Sequence, residues 1–449
     1  LRKLLLAALL LGVAGPALAE EPSDADLALA RAIALDDVES ARAALAAHAV
    51  PDRRLAFGAT PLLQAVDRQD GALVSLLLSA GADPALADEE GLSPLMLACQ
   101  LGSPAVLDPL LSTPRLDVRA TLPDGAGALH ICARYASAGA VARLLASGAA
   151  LDTPDSRGQT PLMWAAMGGK NETIALLLKA GARIGASTQA GFTPLFFAIK
   201  SGNPQTSAAL LAAGTDITHR GPRNTNALQL ALYQQNWAAA AQLASRLPDH
   251  SPLLFERDDQ GLPPLNMAAS GGDTALVQAL LAKGADANLP SGPSTITWVT
   301  EANYGVAPAP VPPMPPLLLA AQGGHAQTMK LLIAAGADPK FIAADGTTLV
   351  MSAAQGGHAD ALALALSVGP DVNLADANGA TALHILAGGS PGPELGTMLA
   401  LLHQHGARAD LADKKGHTPA MLAHAALKDV TSAFDAAFPA PAVTFAGAH

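Results

Sequence analysis

Cysteine, aromatic rings and charge are all scarce in this 449-residue chain. Two cysteines cannot build a disulfide scaffold or a four-thiolate zinc site. Aromatic residues at 3% exclude a core assembled around rings, and charged residues reach only 14%. The 27 Lys and Arg are outnumbered by 38 Asp and Glu, and the net charge of −11 argues against sequence-independent nucleic-acid binding. Catalytic signatures are missing too. There is no P-loop, no His-Glu-x-x-His, no Gly-x-Ser-x-Gly, no EF-hand loop and no Cys-x-x-Cys. Hydrophobic residues nevertheless make up 50%, too many for disorder. Gly 41 and Pro 34 are too many for long uninterrupted helices and do not follow the collagen period. Such a composition suits many thin layers of alanine and leucine.

The first nineteen residues read as an export signal. Arg2 and Lys3 precede an apolar stretch from Leu4 to Val13, and Ala17-Leu18-Ala19 supplies small residues for cleavage before Glu20. Ten apolar residues are too few to cross a bilayer. Losing Arg2 and Lys3 would leave a net charge of −13. The expected location is therefore the periplasm or the medium.

One phrase is then written again and again. Thr60-Pro61-Leu62, Ser93-Pro94-Leu95, Thr160-Pro161-Leu162, Thr193-Pro194-Leu195 and Thr418-Pro419-Ala420 belong to a series of eleven starts spaced mostly 33 residues apart. A second phrase follows each start, as in Leu76-Leu77-Leu78 with Gly81-Ala82-Asp83, or Leu280-Leu281 with Gly284-Ala285-Asp286. Thr or Ser is expected to cap a helix, Pro to occupy its first turn without loss, and Leu to enter the core. The leucine pair marks a second helix, and the glycine after it ends that helix in a left-handed turn. Asp155 with Gly158, Asp376 with Gly379 and Asp413 with Gly416 set a tight turn before the next start.

This pattern resembles the ankyrin repeat, in which two antiparallel helices alternate with a finger-like loop. The resemblance implies an all-α repeat solenoid of about 12 units, with caps at both ends. Residues 24–48 form the N-terminal cap, with Leu29, Ala32 and Leu45 at core positions, and Phe434 and Phe438 close the last unit. The expected organisation is a signal peptide at 1–19, repeats at 20–289, a Pro-rich insert at 290–314 within a finger loop, repeats at 315–439 and a tail at 440–449. The stretch from Asp345 onward is similar to arrays of exported bacterial proteins. Some of those carry a fused c-type cytochrome, but no Cys-x-x-Cys-His occurs here, so haem is not carried over.

The resemblance further implies a protein partner held by the finger tips and the ends of the first helices. Residues falling there are Arg134, Tyr135, Met167, Lys200, Tyr233, Gln234, Gln322 and Gln355, with Phe192 on a finger. The insert adds Trp298 and Tyr304, whose rings suit either a contact patch or a cover folded back over the neighbouring first helices, and its prolines suit an extended finger. No catalytic, cofactor-binding or metal-binding residue is expected, and the reading is a non-catalytic, monomeric interaction scaffold. The alternative is a partner or regulatory subunit of an envelope enzyme or redox system. His130 and His384 are expected to tie neighbouring loops by hydrogen bonds. Trp164 and Phe197 take the leucine position of the first helix and are expected in the core. Cys99 and Cys132 lie in successive first helices. A spacing of about 8–10 Å between such helices favours two buried free thiols over a bridge.

Overall fold

Most helices in this chain begin at a small polar side chain or a proline, as at Ser23, at Thr60-Pro61 and at Pro315-Pro316. The computed structural model describes residues 22–54, 58–114, 116–293, 312–390 and 392–439. The export signal, the tail, and Trp298 and Tyr304 of the insert lie outside the described residues. The chain divides into two compact bodies, Leu1–Ala227 and Leu228–His449.

The described residues carry 24 α-helices in twelve consecutive pairs. In the first body these are α1 (Asp24–Ala34), α2 (Val38–Ala46), α3 (Pro61–Asp67), α4 (Gly71–Ser79), α5 (Pro94–Leu101), α6 (Pro104–Leu111), α7 (Ala128–Tyr135), α8 (Ala138–Ala146), α9 (Pro161–Met167), α10 (Asn171–Lys179), α11 (Pro194–Lys200) and α12 (Pro204–Ala212). The chain continues with α13 (Ala227–Tyr233), whose first residue closes the first body, and the second body then holds α14 (Trp237–Arg246), α15 (Pro264–Gly271), α16 (Thr274–Ala282), α17 (Pro316–Gln322), α18 (Ala326–Ala334), α19 (Leu349–Gly356), α20 (Ala359–Val368), α21 (Ala382–Gly388), α22 (Leu395–Gln404), α23 (Pro419–Ala425) and α24 (Lys428–Ala437). Within each body, first helices stack on first helices, as α5 on α7, α7 on α9 and α17 on α19. Second helices stack likewise, as α4 on α6 and α20 on α22. The only pairing of extended backbone among the described residues is an isolated bridge between Thr121 and Gly127. None of the described helices is long and apolar enough to cross a membrane.

The repeated phrases do most of what their chemistry dictates. Thr60, Ser93, Thr348 and Thr418 accept a backbone N–H three residues on, at 3.2–3.3 Å. Thr160 and Thr193 depart from that expectation, because their buried hydroxyls make no hydrogen bond and the proline alone starts the helix. The leucine of each second helix that faces inward is fully buried, as Leu77, Leu177, Leu280 and Leu332 are. Gly181 then turns the chain at φ +96° with no atom near a would-be side chain. In the fingers, Asp88, Asp155, Asp258, Asp376 and Asp413 each accept two backbone N–H groups of their own turn. At the N-terminal cap Leu29 and Ala32 are buried, whereas Leu45 is only half-buried and Ala41 and Ala44 fill its layer. At the other end Phe434 stacks on Phe438 at 5.0 Å and closes the last pair.

Cys99 and Cys132 are joined as a disulfide, contrary to the expectation of free thiols, and both are fully buried. The spacing of about 8–10 Å applies to helix axes, not to the residues that face one another. A Cα atom stands about 2.3 Å off its axis, so two facing residues approach by about twice that. The observed Cα–Cα distance is 4.5 Å, within the range a disulfide spans. The bridge ties α5 to α7 across 33 residues of sequence.

Two insertions have visible consequences. Around the Pro-rich insert, the Ser291 N–H donates to the Met314 carbonyl and the Met314 N–H donates to Ser291 Oγ, each at 2.9 Å. The insert therefore leaves and re-enters the array at one place. The longer turn between α21 and α22 carries Glu394, whose carboxylate accepts the Ala359 N–H at 2.8 Å. His358, in the capping position of α20, makes no cap bond of its own, and Glu394 of the following pair takes over that task.

Candidate functional site

Buried histidines fix the fingers before any exposed residue matters. His130 Nδ1 accepts the Gly127 N–H at 3.2 Å, which leaves Nε2–H to donate to the Gln159 carbonyl of the next finger, also at 3.2 Å. Burial holds its pKa below the ordinary imidazole value, against the opposing charge of Asp155. The ring is thus a neutral tie. His384 repeats the arrangement, with Nδ1 accepting the Thr381 N–H at 3.0 Å and Nε2 at 3.1 Å from the His417 carbonyl.

On this frame the first helices present matching positions 33 residues apart. Met167 and Lys200 end α9 and α11, and Arg134 is the penultimate residue of α7. Arg134 is half-exposed and lies 5.0 Å from the Tyr135 ring centre and 5.9 Å from that of Trp164. Lys200 is exposed, with its ammonium 5.3 Å from the Phe192 ring centre. Met167 is half-buried between these two helix ends, and Tyr135 is 41% exposed. The Lys170 ammonium donates to the Tyr135 carbonyl at 3.1 Å.

Trp164 is not the core residue its register suggested. It is half-exposed, meets the His130 ring edge-on at 5.8 Å and donates from Nε1 to the Asp155 carboxylate at 3.1 Å. The finger turn that buries Asp155 brings an acceptor to the indole, and the ring turns outward to meet it. Trp164 therefore belongs with Arg134 and Tyr135. The one available signal was a polar indole N–H in a repeat that places an aspartate nine residues earlier. Phe197, in the same register one repeat later, is buried as expected.

The second body treats the corresponding positions differently. Gln322 and Gln355 are exposed and bond to each other at 3.3 Å. Tyr233 is 39% exposed, and its hydroxyl pKa is pushed up to about 12 by partial burial and by the nearby charge of Asp258. Asp258 is itself buried, which raises its own pKa. Gln234 is exposed beside Tyr233. Trp237 lies half-buried, its ring packed so closely on Gly271 that a methyl there would meet it at 2.5 Å. A shallow pocket of about 420 Å³ opens among Gly272, Thr274, His325, Thr328, His358 and Glu394. His325 bonds the Ser270 carbonyl at 3.0 Å, and His358 stands 3.5 Å from Glu394. No group of three ligating side chains able to hold a metal ion occurs among the described residues. His403 packs on Phe438 at 4.8 Å, and His405 bonds the carbonyl of Leu401.

Comparison with known proteins identifies the repeat. The family profile described as "Ankyrin repeats (3 copies)" matches residues 29–122, 129–221 and 317–391, and that described as "Ankyrin repeat" matches residues 260–291. B-cell lymphoma 3 protein of Homo sapiens is 37% identical over 110 residues, which is 24% of this chain and 24% of that protein. Zinc finger CCCH domain-containing protein 24 of Oryza sativa subsp. japonica is 44% identical over 95 residues, covering 18% of this chain and 12% of that protein. The chain thus spans a quarter or less of the curated relatives it matches. A crystal structure of the ankyrin repeat domain of Bcl-3 is similar with a TM-score of 0.40 at 28% identity, covering 46% of this chain and 95% of that one.

Proposed function

As the chain belongs to the ankyrin-repeat family, we propose that it is a non-catalytic scaffold that binds a protein partner along the ends of its first helices and its finger loops. One observation carries this reading. The residues that hold the fold, such as Leu177 and His130, are buried, while Arg134, Met167 and Lys200 occupy one register on stacked helices and face outward in whole or part. A register released from packing is free to serve recognition. Arg134, Tyr135, Met167, Lys200 and Phe192 form the candidate surface of the first body, and Tyr233, Gln234, Gln322 and Gln355 that of the second.

We propose in addition that the protein is exported by a bacterial cell, cut before Glu20, and acts as a monomer in the periplasm or the medium. The signal-like residues 1–19 and the bridged pair Cys99–Cys132 favour an oxidising compartment. N-terminal sequencing of envelope material should begin at Glu20, and recovery of intact Leu1 from the cytosol would reject export. Light scattering should return a mass near one chain. For the binding reading, cross-linking from an unnatural photoreactive residue at position 167 should trap a partner, whereas the same residue at buried position 177 should trap none. Equal trapping at both positions would reject the surface.

A further inference from the structure

From Ala128 to Lys200 the chain carries seven Lys and Arg against three Asp and Glu, a net +4 within a chain of −11, so everything outside this stretch sums to −15. Two of its three carboxylates, Asp155 and Asp152, are occupied. Asp155 accepts two backbone N–H groups and the Trp164 indole, and Asp152 pairs with Arg183. Arg134 and Lys200 have no ion pair among the described residues and lie instead against rings. Cations stacked on aromatic faces remain available to an anion while the rings offer it an apolar flank.

Resting on the binding reading above, we propose that this surface of the first body recognises an extended acidic peptide segment, with one carboxylate on Arg134, a second on Lys200, and an apolar side chain between them against Met167 and Trp164. The spacing sets the segment. Successive first helices stand about 8–10 Å apart, so Arg134 and Lys200 are separated by roughly two such steps, near 20 Å. At about 3.3 Å per extended residue, the two acidic residues lie about six positions apart. A nucleic acid is disfavoured, because the rest of the same body, residues 20–127 and 201–227, carries 9 Lys and Arg against 18 Asp and Glu, and this excess repels a polyanion longer than the patch.

A fluorescein-labelled peptide with glutamates six residues apart and a central leucine tests this by fluorescence anisotropy on the intact, oxidised chain. It should bind at least about tenfold more tightly than the same peptide with glutamines, and binding should weaken with salt. The double variant Arg134→Gln, Lys200→Gln should lower the glutamate peptide to the glutamine level while circular dichroism and the melting temperature stay unchanged. Arg134→Glu with Lys200→Glu should turn the preference toward a lysine version. Equal affinity of the glutamate and glutamine peptides, or retention in the double variant, would overturn the proposal, as would competition by oligouridylate at equal strength. Selection from a displayed library of random peptides separates the two levels of the argument. Non-acidic binders insensitive to the double variant would leave the scaffold reading standing and remove this one, and a selection that yields no binder would count against both.

Discussion

The first helices α7, α9 and α11 and the first helices α17, α19 and α21 have one architecture and opposite surfaces. Near the helix end the first set has Arg134, Met167 and Lys200, and the second has Gln322, Gln355 and Gly388. Below that surface the buried layers match, with Leu177 and Leu332 in one register and both inaccessible. The difference teaches where sequence freedom lies. A repeat must keep the buried leucine, the starting turn and the finger glycine, and can rewrite the outward positions without disturbing its neighbours.

The covalent tie is the sharpest asymmetry, since it exists only in the first body. Closing a loop of this length restricts the unfolded chain by about 4 kcal/mol on the entropy model. Cys99→Ala with Cys132→Ala, or a reducing agent, should therefore lower the denaturant midpoint of residues 20–227 and leave that of residues 228–449 where it was. Equal shifts in both, followed by segment-resolved hydrogen exchange, would break the comparison. Leu177→Ala and Leu332→Ala should each cost about 3 kcal/mol, within the usual span for a buried leucine. If one is tolerated and the other is not, the buried layers are not equivalent.

His130→Ala removes a ring that satisfies two backbone groups and should cost about 2 kcal/mol. The same residue gives a pH test. Its folded pKa lies below the unfolded value of 6.5, so below pH 6.5 the unfolded chain binds the extra proton. The contribution is fully present above that pH and is lost as the pH falls toward the folded value. A pH titration of the melting temperature should show this acid-side loss in the native chain and a smaller one in His130→Ala. Glu394→Gln should cost about 0.5–1 kcal/mol by weakening the cap it lends to α20. Gln322→Ala should fall within about 0.5 kcal/mol, as expected of an exposed residue.

The comparison also shows what the sequence could and could not reveal. The twelve helix pairs were legible because each start, leucine pair and finger turn is a local feature with a fixed offset. The histidine ties were legible through the family resemblance. Three features were not. The disulfide depends on which sides of two helices face each other, a matter of a few ångströms that axis spacing hides. Trp164 turned outward because Asp155, held by its own finger, offers the indole an acceptor. Glu394 caps a helix in another pair across 35 residues of sequence, and nothing local to His358 announces it.

The meeting of Ser291 and Met314 has a use beyond stability. The hydrogen bonds between the two feet of the insert fix where the chain on either side of residues 294–311 leaves and rejoins the array. For the protein engineer this junction is a grafting port. A fluorescent domain, an epitope or a foreign loop spliced between residues 293 and 312 would sit on a fixed two-point mount, and the array beneath would fold as though nothing had been added.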